Sequence, residues 1–211
     1  MGKQGAEAWR EWPPRRQAGR SATGQASEMS ADPSDLARAV IQFWCDELSP
    51  EQYWKKDPAV DRHIAERFGK VREMLLETRA AGWRDSPETI AAAIILLDQF
   101  SRNMFRGSAK AFEADGVALE LCKLALERGW VDELEKPLPS FVLMPLMHSE
   151  KFEDQERSVV EFRERDQFNY HYAILHHDQI RRFGRFPGRN RALGRVSTAE
   201  ERELIASGET F

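Results

Sequence analysis

Apolar residues from Asp32 onward recur every three or four positions, which is the spacing of one face of an α-helix. The clearest stripe, after Asp57-Pro58, consists of Val60, Ile64, Phe68, Val71 and Leu75. Asp-Pro and Ser-Pro pairs before several stripes are typical helix starts, because the first residue caps the helix and proline fits the first turn. The alternation of a half-buried strand is absent from the sequence. The pattern therefore predicts an all-α fold of eight or nine helices packed as antiparallel pairs.

One stretch, from Ile90 to Leu97, is apolar on every side. A helix of that kind is normally buried in the centre of a domain. Gly107-Ser108 interrupts the pattern after it, and further helices are predicted near 112–129, 141–147, 152–165 and 168–183. The last helix is predicted to begin with the capping box Ser197-x-x-Glu200.

Residues 1–31 differ from the rest of the chain. They are rich in Gly, Ser, Gln and Arg, contain Pro13-Pro14 and show no helical apolar period. Such a composition buries too little surface to offset the entropy of ordering, so we predict a disordered N-terminal extension. Met29 stands just before the first helix start, and we favour it as the true start of the protein. Residues 32–211 are then predicted to form a single all-helical domain.

Charge and hydropathy limit the possible partners and compartments. The net charge is −4 and the pI is near 5.8, which disfavours nucleic-acid binding. The longest apolar run is far shorter than the ~20 residues of a membrane span, and no secretory signal is visible. Cys45 and Cys122 form no Cys-x-x-Cys pattern and are interpreted as small buried hydrophobes in a reducing compartment. We expect a cytoplasmic protein with no membrane or nucleic-acid partner.

Cofactor and metal motifs do not occur in the sequence. There is no glycine-rich phosphate loop, dinucleotide fingerprint or nucleophile elbow. One conceivable metal set lies on separate predicted elements without the spacing of known ligand motifs: His148, Glu150, Asp154 and His176. We therefore predict neither a cofactor nor a metal.

The most distinctive chemistry lies near the C-terminus, where six arginines occur without an acid between Asp178 and Glu200. Guanidinium groups bind carboxylates and phosphates bidentately. This arginine window either presents an anion site or pairs with acids elsewhere in the fold, such as those between Glu150 and Asp166. The residues predicted to bind an anion are Arg102, Asn103, Arg185, Arg189, Asn190 and Arg195.

Four residues are candidates for acid–base chemistry. Asp98 follows the most apolar helix section and lies four residues before Arg102, so we expect it to meet a distant arginine, in a structural or a functional role. His148 and Glu150 follow a short apolar helix, and helix capping is the favoured interpretation. The alternative is a base at His148 that Glu150 orients. His176, at the edge of a buried helix face, is interpreted first as a hydrogen-bonded core histidine.

Several long, ordered motifs carry a likeness to a known family. They are Leu96-Leu97-Asp98-Gln99-Phe100 with Arg102-Asn103 and Phe105-Arg106-Gly107, then Met147-His148-Ser149-Glu150, Asp154-Gln155-Glu156-Arg157-Ser158, and Phe183-Gly184-Arg185-Phe186-Pro187-x-Arg189-Asn190 with Leu193-Gly194-Arg195. On these motifs the chain resembles the bacterial domain-of-unknown-function family 924, over about Val40 to Phe211.

The resemblance implies an all-helical, TPR-like fold with a right-handed superhelix, and it implies no established activity. Two positions depart from the family pattern. Ser101 stands where the family usually has proline, and Gly188 stands where many members have histidine. A mechanism that needs a histidine at position 188 is therefore not expected here.

Three functions from different classes are consistent with these features. The first is a binding module whose arginine-lined pocket holds an anionic small molecule or an acidic peptide. The second is an enzyme acting on a small anionic substrate, with His148 or His176 as acid or base. The third is a structural scaffold for protein interactions. We rank them in that order, with little separating the first two.

Overall fold

The computed structural model describes residues 32–211, and every regular element in that range is helical. This confirms the predicted all-α class. The predicted disordered extension at residues 1–31 and the preferred start at Met29 lie outside the described residues. Within residues 32–211, no helix combines the length and the apolar character needed to cross a membrane.

The fold contains ten α-helical segments, two of which belong to one continuous rod. They are α1 (Pro33–Gln42), α2 (Pro50–Trp54), α3 (Pro58–Glu77), α4 (Pro87–Ile94), α5 (Ser101–Met104), α6 (Asp115–Glu127), α7 (Leu138–His148), α8 (Phe152–Arg165), α9 (Gln167–Phe183) and α10 (Ala199–Ser207). The segments Phe43–Glu47 and Ile95–Phe100 are π-helical, and short 3₁₀ turns lie at Ala109–Ala111, Trp130–Asp132 and Pro187–Arg189. Since α4, the second π segment and α5 run without a break over 87–104, the described range holds nine helices, within the predicted eight or nine.

Side-chain caps form at the helix starts that the sequence marks. The carboxylates of Asp32 and Asp57 accept hydrogen bonds from backbone N–H groups two residues ahead, at 2.8 and 2.9 Å. Proline occupies the first turn of both helices, where its missing N–H costs no hydrogen bond. These helix starts are therefore set by local chemistry.

The capping box of the last helix is shifted by one residue from its predicted position. Thr198 and Glu201 form it, not Ser197 and Glu200. The carboxylate of Glu201 also accepts from Nε and Nη2 of Arg185, at 2.6 and 2.8 Å. This tertiary ion pair favours Glu201 over Glu200 as the capping residue. The local sequence does not distinguish the two glutamates.

The rod of residues 87–104 lies in the centre of the fold. Residues Ile90 to Leu97 are all fully buried, and the rod packs against α1, α3, α6 and α7. The predicted central helix is therefore confirmed. The π segment Ile95–Phe100 carries one buried carboxylate, Asp98. Such π-helical turns occur frequently at functional sites.

The C-terminal half is built from consecutive helices that pack on one another. Helices α8 and α9 are joined by the single residue Asp166 and pack together, as do α7 with α8 and α6 with α7. A one-residue connection between two packed helices reverses the chain, so α8 and α9 form an antiparallel pair. The TPR-like right-handed superhelix stays a prediction.

The segments after α9 bring the arginine window back to the middle of the fold. The chain turns at Gly184, whose positive φ of 68° favours glycine. The 3₁₀ turn that follows carries Arg189 to the end of α7, and α10 packs on this turn. Beyond α10, the carbonyl of Glu209 accepts a hydrogen bond from Nε2 of Gln179 on α9, at 2.7 Å. The C-terminal residues therefore lie beside α9.

Candidate functional site

The centre of the site is the fully buried carboxylate of Asp98. Nη1 of Arg102 lies 3.0 Å from its Oδ1, and Nε2 of Gln99 donates to its Oδ2 at 2.6 Å. Nδ1 of His148, the last residue of α7, lies 2.8 Å from Oδ1. Burial raises the pKa of Asp98, but Arg102 and His148 outweigh burial and hold this pKa well below its ordinary value. Asp98 is therefore a buried anion that organises three side chains.

Arg102 links Asp98 to a second acid, Asp115, the first residue of α6. Its Nη1 and Nη2 donate to the two oxygens of Asp115 at 3.0 and 3.1 Å, the forked geometry that suits guanidinium and carboxylate. From the sequence, a distant arginine is expected beside Asp98. The structure places Arg102, four residues away, in that role, and the distant partner is His148.

His148 is oriented by Asp98, and not by Glu150, which is the alternative that the sequence leaves open to helix capping. Glu150 instead accepts from Nη1 and Nη2 of Arg195, both at 2.8 Å, and from the backbone N–H of Phe186 at 2.9 Å. Because the ring of His148 binds a carboxylate across the fold, it does not serve as a helix cap. Burial lowers the pKa of His148, so its imidazole is neutral at neutral pH.

Arg189 reaches the same cluster from the 3₁₀ turn. Its Nη1 lies 3.3 Å from Oδ2 of Asp115, and its Nη2 donates to the backbone carbonyl of His148 at 3.0 Å. Its guanidinium carbon lies 4.8 and 4.4 Å from the ring centres of Phe112 and Phe186, within the range of cation–π contacts. Burial, and then the charge of the neighbouring guanidinium, lower the pKa of Arg189 to about 10. This positive charge is therefore only partly compensated.

His176 on α9 lies beside His148. Its Nδ1 is 2.8 Å from the carbonyl oxygen of Tyr172, and the two imidazole centres are 6.1 Å apart. Phe211 stacks on His176 with ring centres 3.7 Å apart and planes inclined by 25°. Burial, and then His148, lower the pKa of His176 to about 3. The hydrogen bond within its own helix fits the core-histidine interpretation, and the contact with His148 places the ring at the cluster.

The other residues predicted to bind an anion have partners within the fold. Asn103 donates to a carboxylate of α3 at 2.8 Å, and Arg185 forms the forked pair with Glu201. Nδ2 of Asn190 lies 3.3 Å from Glu201, and Arg195 is held by Glu150. The structure therefore brings together Asp98, Arg102, His148, His176 and Arg189 and places the other four residues in separate contacts.

Three residues of the cluster are missed by the sequence analysis: Asp115, Phe112 and Phe186. An acid in the first turn of a helix, such as Asp115, is expected for its favourable interaction with the helix dipole and so carries no functional signal. The two phenylalanines resemble ordinary core residues. The available signal was the position of Phe186 inside the arginine window, where an aromatic ring can pack on a guanidinium group.

A recess of about 580 Å³ lies elsewhere, between α1, the start of α4 and residues 133–138. Its charged residues are one arginine, Arg38, and three acids, Glu88, Glu133 and Glu135, so the recess is acidic overall. Glu88 precedes Asp98 by ten residues on the rod, a distance of about 15 Å along a helix axis. The side-chain chemistry places the candidate site at the Asp98 cluster and not in this recess.

The conceivable metal set does not assemble. Asp154 accepts from Ser149 Oγ at 2.7 Å and pairs with Nζ of Lys123 at 2.5 Å, apart from the two histidines. Within residues 32–211, no three or more histidine, cysteine, aspartate or glutamate side chains are grouped to hold a metal ion.

The fold and the cluster define a class: an all-helical protein whose central rod carries a buried aspartate bound by histidine and arginine. The chain is similar to a solved structure of a protein of unknown function from Agrobacterium tumefaciens. The two are 33% identical, with a TM-score of 0.80 over 84% of this chain and 100% of that chain. No curated protein matches the chain.

The family is identified by its sequence model. The model of the bacterial protein family of unknown function DUF924 matches residues 40–209, and the chain belongs to this family. The resemblance that the sequence motifs indicate is therefore confirmed.

Proposed function

We propose that this chain binds a small anionic molecule through Arg102 and Arg189. The observation that carries the proposal is the pairing of Arg189. Its carboxylate partner, Asp115, lies 3.3 Å away and already accepts from both terminal nitrogens of Arg102. Arg189 thus shares its one carboxylate partner with Arg102, which also pairs with Asp98. An anion beside Arg189 would pair with its guanidinium group directly.

Arg189 also keeps hydrogen-bond donors available. A guanidinium carries five N–H groups. The hydrogen bonds of Arg189 with other residues of the described range use Nη1 and Nη2 once each, and Nε has no partner there. Free donors on a planar cation suit a carboxylate or a phosphate, which accepts two parallel hydrogen bonds.

The enclosure of the cluster favours a small molecule over an acidic peptide. The side chain of Arg189 is 8% exposed and that of Arg102 is 20% exposed. A peptide needs a long open groove for its backbone, whereas a small anion needs only the exposed edge of the two guanidinium groups. Two separate helical elements, α5 and the 3₁₀ turn, supply these guanidinium groups, and α6 supplies the carboxylate that they share.

The test is a thermal-shift and calorimetry series with acetate, succinate and phosphate. At about 100 times its Kd, an anion should stabilise the wild type by about 2.7 kcal/mol. The same anion should not stabilise Arg189→Met, because the donors are lost while the side chain keeps an apolar stem. The proposal fails if none of the three anions binds, or if wild type and Arg189→Met respond alike.

Arg191→Met is the matched control. Arg191 lies two residues further along, is exposed, and forms no ion pair with another residue of the described range. Its replacement removes the same charge from the same turn. A variant with a normal anion response would show that the effect at position 189 is local.

A second candidate function is an enzyme with His148 as acid or base. The observation that favours it is the hydrogen bond of 2.8 Å between Nδ1 of His148 and the buried Asp98. A carboxylate behind a histidine fixes the orientation of the ring and stabilises its protonated form, which leaves Nε2 available for proton transfer.

This candidate predicts proton exchange at a carbon next to the bound carboxylate. Succinate would be incubated with the protein in D₂O, and its methylene signals followed by NMR. Loss of those signals with wild type, and not with His148→Phe, would support the enzyme. Unchanged signals despite measured binding would favour a binding protein without this chemistry.

A further inference from the structure

The two histidines of the site have defined tautomers. The carboxylate of Asp98 is ionised and can only accept hydrogen bonds, so Nδ1 of His148 must carry the proton of their 2.8 Å contact. The carbonyl oxygen of Tyr172 is also an acceptor, so Nδ1 of His176 must carry the proton of its 2.8 Å contact. In a neutral imidazole the other nitrogen then bears a lone pair. The Nε2 atoms of both rings are therefore acceptors.

Both acceptors are unused. Among residues 32–211, no hydrogen bond is formed with Nε2 of His148 or of His176. Each of the two Nε2 atoms retains some solvent-accessible surface, so neither is fully enclosed by the protein. The ring centres are 6.1 Å apart. The site thus combines lone pairs on two imidazoles with guanidinium donors.

Arg189 and His148 are in direct contact. Nη2 of Arg189 donates to the backbone carbonyl of His148 itself, at 3.0 Å. An anion paired with Arg189 is therefore adjacent to the histidine that presents a lone pair. An anion with acceptor atoms alone would face that lone pair unfavourably. A ligand that pairs with Arg189 and also donates a hydrogen bond would satisfy both groups.

We propose that the anion is a small hydroxycarboxylate, whose carboxylate pairs with Arg189 and whose hydroxyl donates to Nε2 of His148. This inference rests on the proposed function and names its ligand class. A hydroxyl is favoured over an ammonium group because the donor would lie near the guanidinium group of Arg189, whose one carboxylate partner, Asp115, is shared with Arg102. A second positive group in the ligand would be repelled there.

The test compares ligands that differ in one group: glycolate, acetate and glycine, measured by calorimetry with the full chain. Glycolate is expected to bind about five to ten times more tightly than acetate, the difference typical of one hydrogen bond. In His148→Phe, the preference for glycolate over acetate should disappear. Equal binding of glycolate and acetate by the wild type would overturn the hydroxycarboxylate and leave the anion site intact.

The other outcomes are also decisive. Tighter binding of glycine than of glycolate would overturn the choice of a hydroxyl donor. If glycolate, acetate, glycine, phosphate and succinate all fail to bind, both the proposed function and this inference are wrong.

A second measurement does not depend on a folded variant. Long-range ¹H–¹⁵N spectra of the wild type distinguish protonated from unprotonated imidazole nitrogens. For His148 and His176, Nδ1 should be protonated and Nε2 unprotonated at neutral pH. A protonated Nε2 on His148 would remove the acceptor and overturn the inference.

Discussion

Two buried arginines, Arg72 on α3 and Arg189 on the 3₁₀ turn, are held in different ways. Arg72 is fully buried, and each of its three nitrogens donates a hydrogen bond. Nε donates to Ser101 Oγ at 3.0 Å, Nη1 to Glu113 at 2.7 Å and Nη2 to the backbone carbonyl of Lys110 at 3.4 Å. Arg189 is nearly as buried, but it shares its carboxylate and leaves Nε without a partner in the described range.

The difference shows that burial alone does not identify a functional arginine. A buried guanidinium whose three nitrogens all donate hydrogen bonds within the fold connects parts of the fold, and removing it leaves polar partners without a bond. A guanidinium packed between two aromatic rings, with a shared carboxylate, retains donors for a ligand. The number of unused donors is therefore the useful criterion at these two sites.

Ser101 accounts for one of the two departures from the family pattern. Its hydroxyl oxygen is the acceptor for Nε of Arg72, and a proline at this position would offer no side-chain acceptor. The departure at position 101 thus belongs to the structural arginine and not to the candidate site.

The largest expected effect is on stability, from replacing Arg72. We expect Arg72→Met to cost about 3 kcal/mol, near the lower end for breaking a buried ion pair, because Glu113 is 37% exposed and can be hydrated again. Arg189→Met should cost about 1 kcal/mol, since Asp115 keeps Arg102 as a partner. Urea unfolding of both variants and the wild type measures the two losses in the free energy of unfolding. Equal losses would show that both arginines are structural.

The next effect is a loss of stability in acid, caused by His176. Its pKa is lowered to about 3 in the folded protein, whereas the unfolded chain binds the proton near pH 6.5. Protonation therefore favours the unfolded state as the pH falls from about 6.5 towards 3, and the cost at pH 5 is about 2 kcal/mol. Above pH 6.5 both states are neutral and the contribution vanishes. His148, whose pKa is also lowered, acts in the same direction.

Urea unfolding at pH 7 and pH 5 isolates this contribution. His176→Phe should lose clearly less stability between the two pH values than the wild type, because the titrating group is gone. His171→Phe, at an exposed position of the same helix, is the matched control for replacing a histidine by phenylalanine. Parallel pH curves for wild type and His176→Phe would contradict the assignment.

The smallest effect concerns Gly188, next to Arg189. A Cβ at this position would lie 2.5 Å from the backbone oxygen of Phe211 and 3.0 Å from Cβ of Thr210. Gly188→Ala should therefore displace residues 210–211 and separate the ring of Phe211 from His176. We expect it to lower the free energy of unfolding by roughly 1 kcal/mol. Gly116→Ala, where a Cβ meets nothing within 4 Å, is the matched control.

Thermal unfolding and the NMR signals of His176 would measure this change. An unchanged His176 environment in Gly188→Ala would show that the C-terminal residues are not held by this close approach. The expected result also explains the second family departure, because a histidine at position 188 cannot fit beside Phe211 as placed here.

The sequence by itself determined the helices of residues 32–211, the buried central section and the family. Helix periodicity and capping depend on residues within a few positions of each other, so Asp57-Pro58 and the apolar run from Ile90 to Leu97 are sufficient signals. Several site residues were also identified, because buried polar groups after an apolar run need partners. The exact position of the last capping box, at Thr198 and Glu201, was not predicted from the sequence, because the tertiary contact between Arg185 and Glu201 selects it.

The tertiary structure decided which charges meet. Asp98 and His148 are 50 residues apart in the chain, and Asp115 and Arg189 are 74 apart. No periodicity relates such positions, and the sequence offers many equivalent acids for each arginine. Helix packing brings particular pairs within hydrogen-bond distance, which gives Arg185 and Arg195 a forked carboxylate partner each, while Arg189 shares its carboxylate with Arg102. Local patterns specify the elements, and the long-range packing of those elements selects the partners.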